Sequence, residues 1–169
     1  DMAILCIETS TSSAKSMLYE NGAILRLVDC PYGQAANVIT IDADGMFSCV
    51  IKSVKETLSG FSGTVEAVGL CGIWHSLLLL DKTMRPLGPI STWANGMADA
   101  TAAEYRKDKA ASLAYYKKTG CIVHSNYPLW QYRHLVRTGD SRIGHTAALS
   151  GQLEYLFFLL TGERVNSLN

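Results

Sequence analysis

The feature that most constrains the fold is the stretch AILCIETSTSSAK at positions 3–15. An apolar run, typical of a buried strand, stops at Glu8, and five small hydroxyl residues, Thr9 to Ser13, follow it. Lys15 then opens a second run, which ends at Asn21-Gly22, a dipeptide typical of hairpin turns. The pattern predicts that the hydroxyl cluster is the tight turn between two paired strands.

Such a turn has a chemical use. Small side chains let backbone N–H groups converge, and these groups together with the hydroxyls can hold phosphate oxygens. A carboxylate placed just before them, here Glu8, can hold Mg²⁺ directly or through water. The alternative is a hairpin without a ligand, because Ser and Thr are common in turns for local reasons. These residues alone leave both interpretations open.

Composition excludes several classes of protein. The 169 residues are 48% hydrophobic and 18% charged, and Lys+Arg and Asp+Glu both number 15, so we expect a folded chain without the basic excess of a nucleic-acid binder. We see no leader peptide at the start, and apolar runs such as Leu77–Leu80 and Leu156–Leu160 are too short to span a bilayer. Five scattered cysteines, several inside apolar runs, indicate free thiols in the reducing cytoplasm.

Hydrophobic periodicity predicts one α/β domain over residues 1–169. Ala23–Val28 completes an antiparallel three-strand meander, and Val65–Cys71 is so apolar that we expect a central strand buried on both faces. The mixed sheet is expected to carry helices on both faces. The other predicted elements are a loop from Pro31 to Thr40, helices from Asp42 or Asp44 to about Leu58, over Ala98–Lys109 and its extension or repeat Ala110–Lys118, over Tyr127–Val136 and over Gln152–Leu160, and strands over Leu77–Leu80, Ile90–Trp93 and Ala147–Ser150.

Trp74 and His75 follow Gly72 at the point where the predicted central strand breaks. In open α/β sheets, ligands bind in the crevice outside the carboxyl ends of the strands. An indole can lie against the C–H face of a sugar while an imidazole hydrogen-bonds its hydroxyls. The alternative is a core tryptophan and a hydrogen-bonded histidine at a strand end.

Together these segments resemble the N-terminal domain of the FGGY carbohydrate kinases. The resemblance lies in four stretches in the family's order, and the His75-Ser76 pair and the Tyr127-Pro128-Leu129 tripeptide are most similar to the gluconate-kinase branch. It implies the actin-like (ribonuclease-H-like) ATPase fold. The four stretches are AILCIETSTSSAKSMLYE, VGLCGIWHSLLLLDKTMRPLGPISTWANGMA, TGCIVHSNYPLWQYRHL and LSGQLEYLFFLLTGERV.

The resemblance implies an ATP-dependent kinase that transfers the γ-phosphate to a primary hydroxyl of gluconate or a related polyol, with xylulose or another ketose as the alternative substrate. ATP and Mg²⁺ are the implied cofactors, a small sugar or sugar acid the implied partner, and neither nucleic acid nor membrane is expected. The implied site comprises Glu8 for the metal, Ser10, Thr11, Ser12 and Lys15 for phosphate, and Trp74, His75 and Asn95 for the sugar.

Four positions depart from the family pattern. Glu8 stands where the family has Asp, and Ser10 stands at its Gly, where a side chain could crowd the γ-phosphate. Asn95 and Met97 replace an Asp and an Arg of the motif centred on Trp93. These changes keep a second function open, an inactive module that binds a sugar or a partner.

Length is the largest departure. The family's catalytic Asp and its nucleotide-binding second domain are expected beyond Asn169, so no residue here is assigned as catalytic and we expect the isolated chain to be inactive. A domain cut in this way exposes apolar surface, and we therefore also expect self-association, as a homodimer.

Overall fold

The structure, a computed structural model, describes residues 3–33 and 39–166. The prediction for the loop from Pro31 to Thr40 lies partly outside the described residues. The strands are Ala3–Thr9 (β1), Ser13–Glu20 (β2), Ala23–Pro31 (β3), Thr40–Ile41 (β4), Val65–Gly72 (β5), Leu78–Leu80 (β6), Ile90–Ser91 (β7) and Ala148–Ser150 (β8), and the α-helices are Ala43–Thr57 (α1), Asp99–Lys107 (α2), Lys109–Thr119 (α3), Pro128–Thr138 (α4) and Gln152–Thr161 (α5).

The opening strands form the predicted meander. Strands β1, β2 and β3 pair antiparallel in sequence, and β5 joins the other side of β1 in parallel, which gives a four-stranded mixed sheet in the order β3-β2-β1-β5. The register places Glu8 opposite Lys15 on β2 and opposite Cys71 on β5. The antiparallel meander and the mixed sheet are therefore confirmed.

One face of this sheet is covered by two helices. Helix α1 begins at Asp42, whose carboxylate accepts a hydrogen bond from the Gly45 amide at 2.7 Å, so the predicted cap is Asp42 rather than Asp44. The apolar face of α1 and the middle of α5 close a core cluster on β1 and β2. That cluster contains Leu5, Ile7, Ala14, Val50 and Leu156.

The opposite face of the sheet is open among the described residues. Its side chains alternate with those of the core, and they are half-buried or exposed, from Ile4 on β1 to Leu27 on β3, which is 57% exposed. Within residues 3–33 and 39–166, the two helices that form the core cluster both lie on the other face.

Strand β5 is also more exposed than predicted. We expected a central strand buried on both faces, but among the described residues β5 pairs only with β1 and lies at the sheet edge. Glu66 to Gly69 and Cys71 are exposed, and Val68 keeps 53% of its surface. The prediction was wrong because an apolar run specifies a strand, whereas its burial depends on neighbours that the run does not encode.

A second group of elements packs beside the sheet. Short strands form two ribbons, β4 with β7 and β6 with β8, and a core cluster joins them to α1 and α5. Trp130 of α4 is fully buried against Tyr105 of α2 and Tyr115 of α3. Asp108 ends α2 and caps α3 through the Ala111 amide at 2.9 Å, so the predicted long helix is two helices.

Among the described residues, no helix is both long enough and apolar enough to cross a bilayer.

Candidate functional site

Two parallel strand ends create the candidate site. Strand β1 ends at Thr9 and strand β5 at Gly72, and these two residues are partners in the parallel register. The turn that follows β1 carries the predicted phosphate residues, and the segment Ile73–Ser76 that follows β5 carries Trp74 and His75. Because β1 and β5 run in the same direction, both sets of residues lie beyond the carboxyl ends of these strands. Open α/β sheets bind ligands at this end.

The turn between β1 and β2 is closed by the side chain of Ser10. Its hydroxyl accepts hydrogen bonds from the amides of Ser12 at 3.3 Å and Ser13 at 3.1 Å, and donates to the Ser13 carbonyl at 3.1 Å. The Ser10 amide donates to the same carbonyl at 2.9 Å. Thr11 is half-buried and Ser12 exposed. Two of the amides that could hold a phosphate are therefore engaged by Ser10 in this structure.

Strand β3 supports the turn from behind. The Tyr32 amide donates to the Ser12 carbonyl at 2.9 Å. The Tyr32 hydroxyl is buried and has no hydrogen-bond partner among residues 3–33 and 39–166, and burial, with smaller contributions from Cys49 and Glu8, raises its pKa. Tyr32 therefore stays neutral at physiological pH and fixes the rear of the turn without adding charge.

Glu8 and Lys15 form an ion pair at 3.1 Å across β1 and β2. Their side chains keep 47% and 34% of their surface, so solvent screens the pair and it contributes little to stability. Within the described residues, no group of three His, Cys, Asp or Glu side chains could hold a metal. One exposed carboxylate still suits Mg²⁺, which takes most of its ligands from water and substrate phosphates.

The sugar-side residues form an aromatic group. Trp74 is 67% exposed, and the His75 ring lies edge-on to Tyr127, with centroids 4.8 Å apart. His75 has a φ of 55°, a conformation that residues other than glycine rarely adopt. Partial burial lowers the pKa of His75, although the residue keeps contact with solvent. The imidazole is therefore neutral at pH 7 and can both donate and accept a hydrogen bond.

Asn95, which we predicted to bind the sugar, also has a structural role. Its carbonyl oxygen accepts from the Met97 amide at 3.0 Å and its amide nitrogen donates to the Ser91 hydroxyl at 2.9 Å, so it caps the short helical turn Gly96–Ala98. Its neighbours Ala94 and Gly96 line an open groove of about 790 Å³, together with Trp93, Asp99, Arg106 and His124. One free hydrogen and one lone pair of Asn95 are left for a substrate.

The groove and the His75 group meet at Tyr127. The His124 ring lies 6.2 Å from the Tyr127 ring, centroid to centroid, and His124 lines the groove. Tyr127 immediately precedes α4, where Pro128 occupies the first turn. The tripeptide at Tyr127 marked this segment in the sequence, but nothing local indicated that its ring would contact His75.

Gln152, a residue that the sequence analysis assigned only to a helix, connects the two sides. It is fully buried at the start of α5. Its side-chain oxygen accepts from the Thr9 hydroxyl at 3.2 Å and the Ile73 amide at 3.1 Å, and its side-chain nitrogen donates to the Ser10 carbonyl at 3.3 Å. Its backbone amide donates to the Ser76 hydroxyl at 2.8 Å. Gln152 thus holds Thr9, the neighbour of Glu8, through its side chain, and Ser76, the neighbour of His75, through its backbone amide.

Gly72 permits this close approach of α5 to the strand ends. A Cβ atom at Gly72 would lie 3.1 Å from the Cβ of Leu153 and 3.3 Å from the side-chain oxygen of Gln152. These distances are shorter than ordinary van der Waals contact. The absence of a side chain at Gly72 is therefore part of the geometry that brings Gln152 to Thr9 and Ile73.

Comparison with known proteins gives a consistent result. Residues 3–168 match the N-terminal domain of the FGGY family of carbohydrate kinases. The gluconokinase of Bacillus subtilis (strain 168) is 24% identical over an alignment of 167 residues, which covers 96% of this chain and 32% of that protein. This relative is a gluconokinase, and the motifs at His75 and Tyr127 resemble the gluconate-kinase branch.

Solved structures share the fold. A gluconate kinase and a ligand-bound xylulose kinase, both from Lactobacillus acidophilus, have TM-scores of 0.87 at 23% identity and cover 96% and 97% of this chain. The chain covers 34% of each, so it spans about a third of the length of these relatives. The chain belongs to the FGGY family of carbohydrate kinases and has the actin-like ATPase fold of that family.

Proposed function

We propose that this chain supplies the phosphate-side and sugar-side contacts of an ATP-dependent kinase. The kinase transfers the γ-phosphate of ATP to a primary hydroxyl of gluconate or a related polyol. The observation that carries the proposal is the convergence of the turn after β1 and the segment after β5 at one sheet edge, joined through Gln152. Phosphoryl transfer depends mainly on positioning and charge neutralisation, and this arrangement offers both.

The phosphate side has four proposed contacts and one metal ligand. Thr11 and Ser12 would line the phosphate with hydroxyl and backbone donors, Lys15 would add positive charge, and Ser10 would contribute once its hydroxyl leaves the turn amides. Glu8 would hold Mg²⁺. When bound, Mg²⁺ would neutralise charge on the phosphates. Lys15 would then be released from its pair with Glu8 and would face the same phosphates.

The sugar side depends on shape and hydrogen bonding. The neutral His75 imidazole would hydrogen-bond a sugar hydroxyl, and the exposed Trp74 indole would lie against the apolar face of the sugar. Asn95 would contribute through the one hydrogen and one lone pair that its cap leaves free. The reaction is proposed for the cytoplasm, where free cysteine thiols such as the five found here persist.

Gluconate is favoured by a cation in the groove. Arg106 lines the groove beside His124 and donates to the Val123 carbonyl at 2.9 Å, and its remaining guanidinium donors can pair with a carboxylate. Xylulose, the substrate named for one structural neighbour, lacks that carboxylate. Arg106→Met is therefore expected to weaken gluconate binding about tenfold or more and leave xylulose binding within about twofold. Equal losses for both sugars would contradict the role of Arg106.

The experiment that tests the kinase function uses the full-length protein that contains this chain. We expect ADP production that depends on gluconate, and thermal stabilisation by gluconate in a panel with xylulose, ribulose, glycerol and rhamnulose. Because the catalytic Asp is expected outside residues 1–169, the isolated chain should produce no ADP. Stabilisation by glycerol alone would contradict the substrate, and steady turnover by the isolated chain would contradict the division of roles.

A second function, an inactive module that binds a sugar or a partner, is favoured by the occupied turn. Ser10 engages two amides of the turn and Lys15 engages Glu8, so the phosphate side is satisfied without a ligand. Calorimetry separates the two functions. The module would bind gluconate or xylulose but not Mg²⁺ with an ATP analogue, whereas the kinase would bind both.

Self-association of the isolated chain is proposed from exposed apolar side chains of the sheet. Leu27 on β3 and Val68 on the exposed edge strand β5 both keep more than half of their surface. Apolar area of this kind drives association. Light scattering should therefore detect a dimer or larger species, and a monomer at high concentration would contradict this proposal.

A further inference from the structure

The inference concerns Gln152 and the two segments that it joins. The four hydrogen bonds of this residue reach Thr9, Ser10, Ile73 and Ser76, which lie 76 to 143 positions away in the sequence. The first two partners belong to the phosphate side and the other two to the sugar side. Three of these hydrogen bonds are made by the fully buried side chain, and the bond to Ser76 is made by the backbone amide.

The chemistry of the amide makes this connection rigid. An amide oxygen has two lone pairs, and here one accepts from the Thr9 hydroxyl and the other from the Ile73 amide. The nitrogen lies in the same plane and donates to the Ser10 carbonyl. Because the group is planar and fully buried, a rotation that follows one partner moves the oxygen or nitrogen away from the others. A buried polar group left without its partner is costly, so the partners prefer to move together.

The backbone of Gln152 adds a second constraint. Helix α5 has no side-chain cap of its own at Gly151, and the Ser76 hydroxyl accepts from the Gln152 amide instead. Ser76 follows His75, whose left-handed backbone is fixed by its surroundings. A ligand that reorients His75 therefore changes the position of Ser76 and, through it, the start of α5.

We propose that Gln152 is a positioning residue that couples occupation of the sugar side to the geometry of the phosphate turn. The proposal rests on the proposed kinase function. A sugar bound at His75 would fix Ile73 and Ser76, and Gln152 would pass this restraint to Thr9 and Ser10. The turn would then be ordered before the nucleotide arrives. Because coupling between two sites is reciprocal, Mg²⁺ with nucleotide should increase the affinity for the sugar by the same factor.

The test measures this factor directly. Calorimetry on the full-length protein gives the dissociation constant of Mg²⁺ with the β,γ-imido analogue of ATP, without and with saturating gluconate, or xylulose if that is the sugar bound. We expect a ratio of about fivefold or more in the wild type, within the usual range of coupling. In Gln152→Met, which keeps the volume and removes the amide, the ratio should approach one while each ligand alone binds within about threefold of wild type. A simple structural role would weaken both ligands and leave the ratio unchanged.

Gln131→Met is the matched control. Gln131 is also fully buried, and its side-chain nitrogen donates to the Thr92 carbonyl at 2.9 Å, but it bonds neither the turn nor Ile73–Ser76. The same chemical change at Gln131 should lower stability and keep the wild-type ratio. If Gln152→Met does not fold, Gln152→Glu decides, because it keeps an acceptor for Thr9 and Ile73 and removes the donor to Ser10. We expect an intermediate ratio for that variant.

The outcomes separate the two proposals. Sugar-dependent ADP production with an unchanged ratio in the Gln152 variants overturns the inference and leaves the kinase function intact. A wild-type ratio of one does the same. A wild-type protein that binds neither the sugar nor the nucleotide analogue overturns both. Loss of the ratio in the Gln152 variants alone supports the inference.

Discussion

The two sides of the candidate site share one sheet edge, but they differ in how their polar groups are used. On the phosphate side, Ser10 engages the turn amides and Lys15 pairs with Glu8. On the sugar side, Trp74 is largely exposed to solvent and the His75 ring lies edge-on to the rings of Trp74 and Tyr127. A ligand must therefore displace internal hydrogen bonds on the phosphate side, whereas on the sugar side it meets open groups.

Ligand affinity should therefore be determined differently on the two sides. Affinity on the sugar side should follow directly from the contacts made by Trp74 and His75. Affinity on the phosphate side should be a difference between new contacts and those broken at Ser10 and Lys15, so that removing a side chain there can improve binding. Substitutions in the full-length protein test this contrast.

Replacing Glu8 should have the largest effect. Glu8→Gln removes the proposed Mg²⁺ ligand, and we expect the rate of sugar-dependent ADP production to fall about 100-fold or more, because a metal ion supplies several kcal/mol of charge stabilisation. Lys15→Met breaks the same ion pair but keeps the carboxylate, and should cost less than about tenfold. Equal losses in the two variants would mean that the ion pair, rather than the metal ligand, matters.

Replacing His75 should have an intermediate effect confined to the sugar side. His75→Ala removes one hydrogen bond to the sugar, and we expect its dissociation constant to rise about tenfold, which corresponds to about 1.4 kcal/mol. Binding of Mg²⁺ with an ATP analogue in the absence of sugar should stay within about twofold of wild type. Calorimetry measures both constants. A sugar constant that does not change would remove His75 from the proposed site.

Replacing Ser10 tests the occupied turn. Ser10→Gly frees the amides of Ser12 and Ser13, and we expect affinity for Mg²⁺ with an ATP analogue to improve about threefold, within the net value of one hydrogen bond. The gain should appear without sugar present. Ser10→Ala serves as the control, since it frees the same amides without the added flexibility of glycine. A weaker nucleotide complex in Ser10→Gly would show that the hydroxyl supports binding instead.

The pH dependence of stability should give the smallest effect. Because partial burial lowers the pKa of His75 below 6.5, the unfolded chain binds more protons than the folded chain between the two values. Stability should therefore be full above about pH 6.5 and decrease as the pH falls through this window. Thermal unfolding of wild type and His75→Gln across the window checks the sign. The variant should lose less stability on acidification than the wild type.

Local patterns predicted the parts of the fold that depend on neighbours in sequence. The turn at Thr9–Ser13 and the hairpin at Asn21-Gly22 follow from residues a few positions apart, and so does the cap at Asp42. The prediction that the strand at Val65–Gly72 is buried was wrong, because whether a strand is central depends on what pairs with its outer side. Composition cannot distinguish an interior strand from an apolar edge strand.

The same limit applies to the site. The residue types at Glu8, Thr11, Ser12, Trp74 and His75 pointed to phosphate and sugar chemistry, and those roles remain predictions. Gln152 was missed because its partners lie 76 to 143 residues away, and an isolated glutamine in an apolar helix carries no local signal. Asn95 was assigned to the substrate from its motif, and the structure adds a capping role that only the positions of Ser91 and Met97 reveal.

Gly72 has a consequence for any attempt to alter this protein. The side chain of Leu153 and the side-chain oxygen of Gln152 border a space at Gly72 that a single methyl group would fill. An alanine at this position would shift α5 outward by a few tenths of an ångström. That shift would move the phosphate side and the sugar side together. The absence of a side chain at Gly72 thus sets the distance between the phosphate side and the sugar side. Directed evolution of substrate preference should therefore leave Gly72 unchanged while the surrounding residues vary.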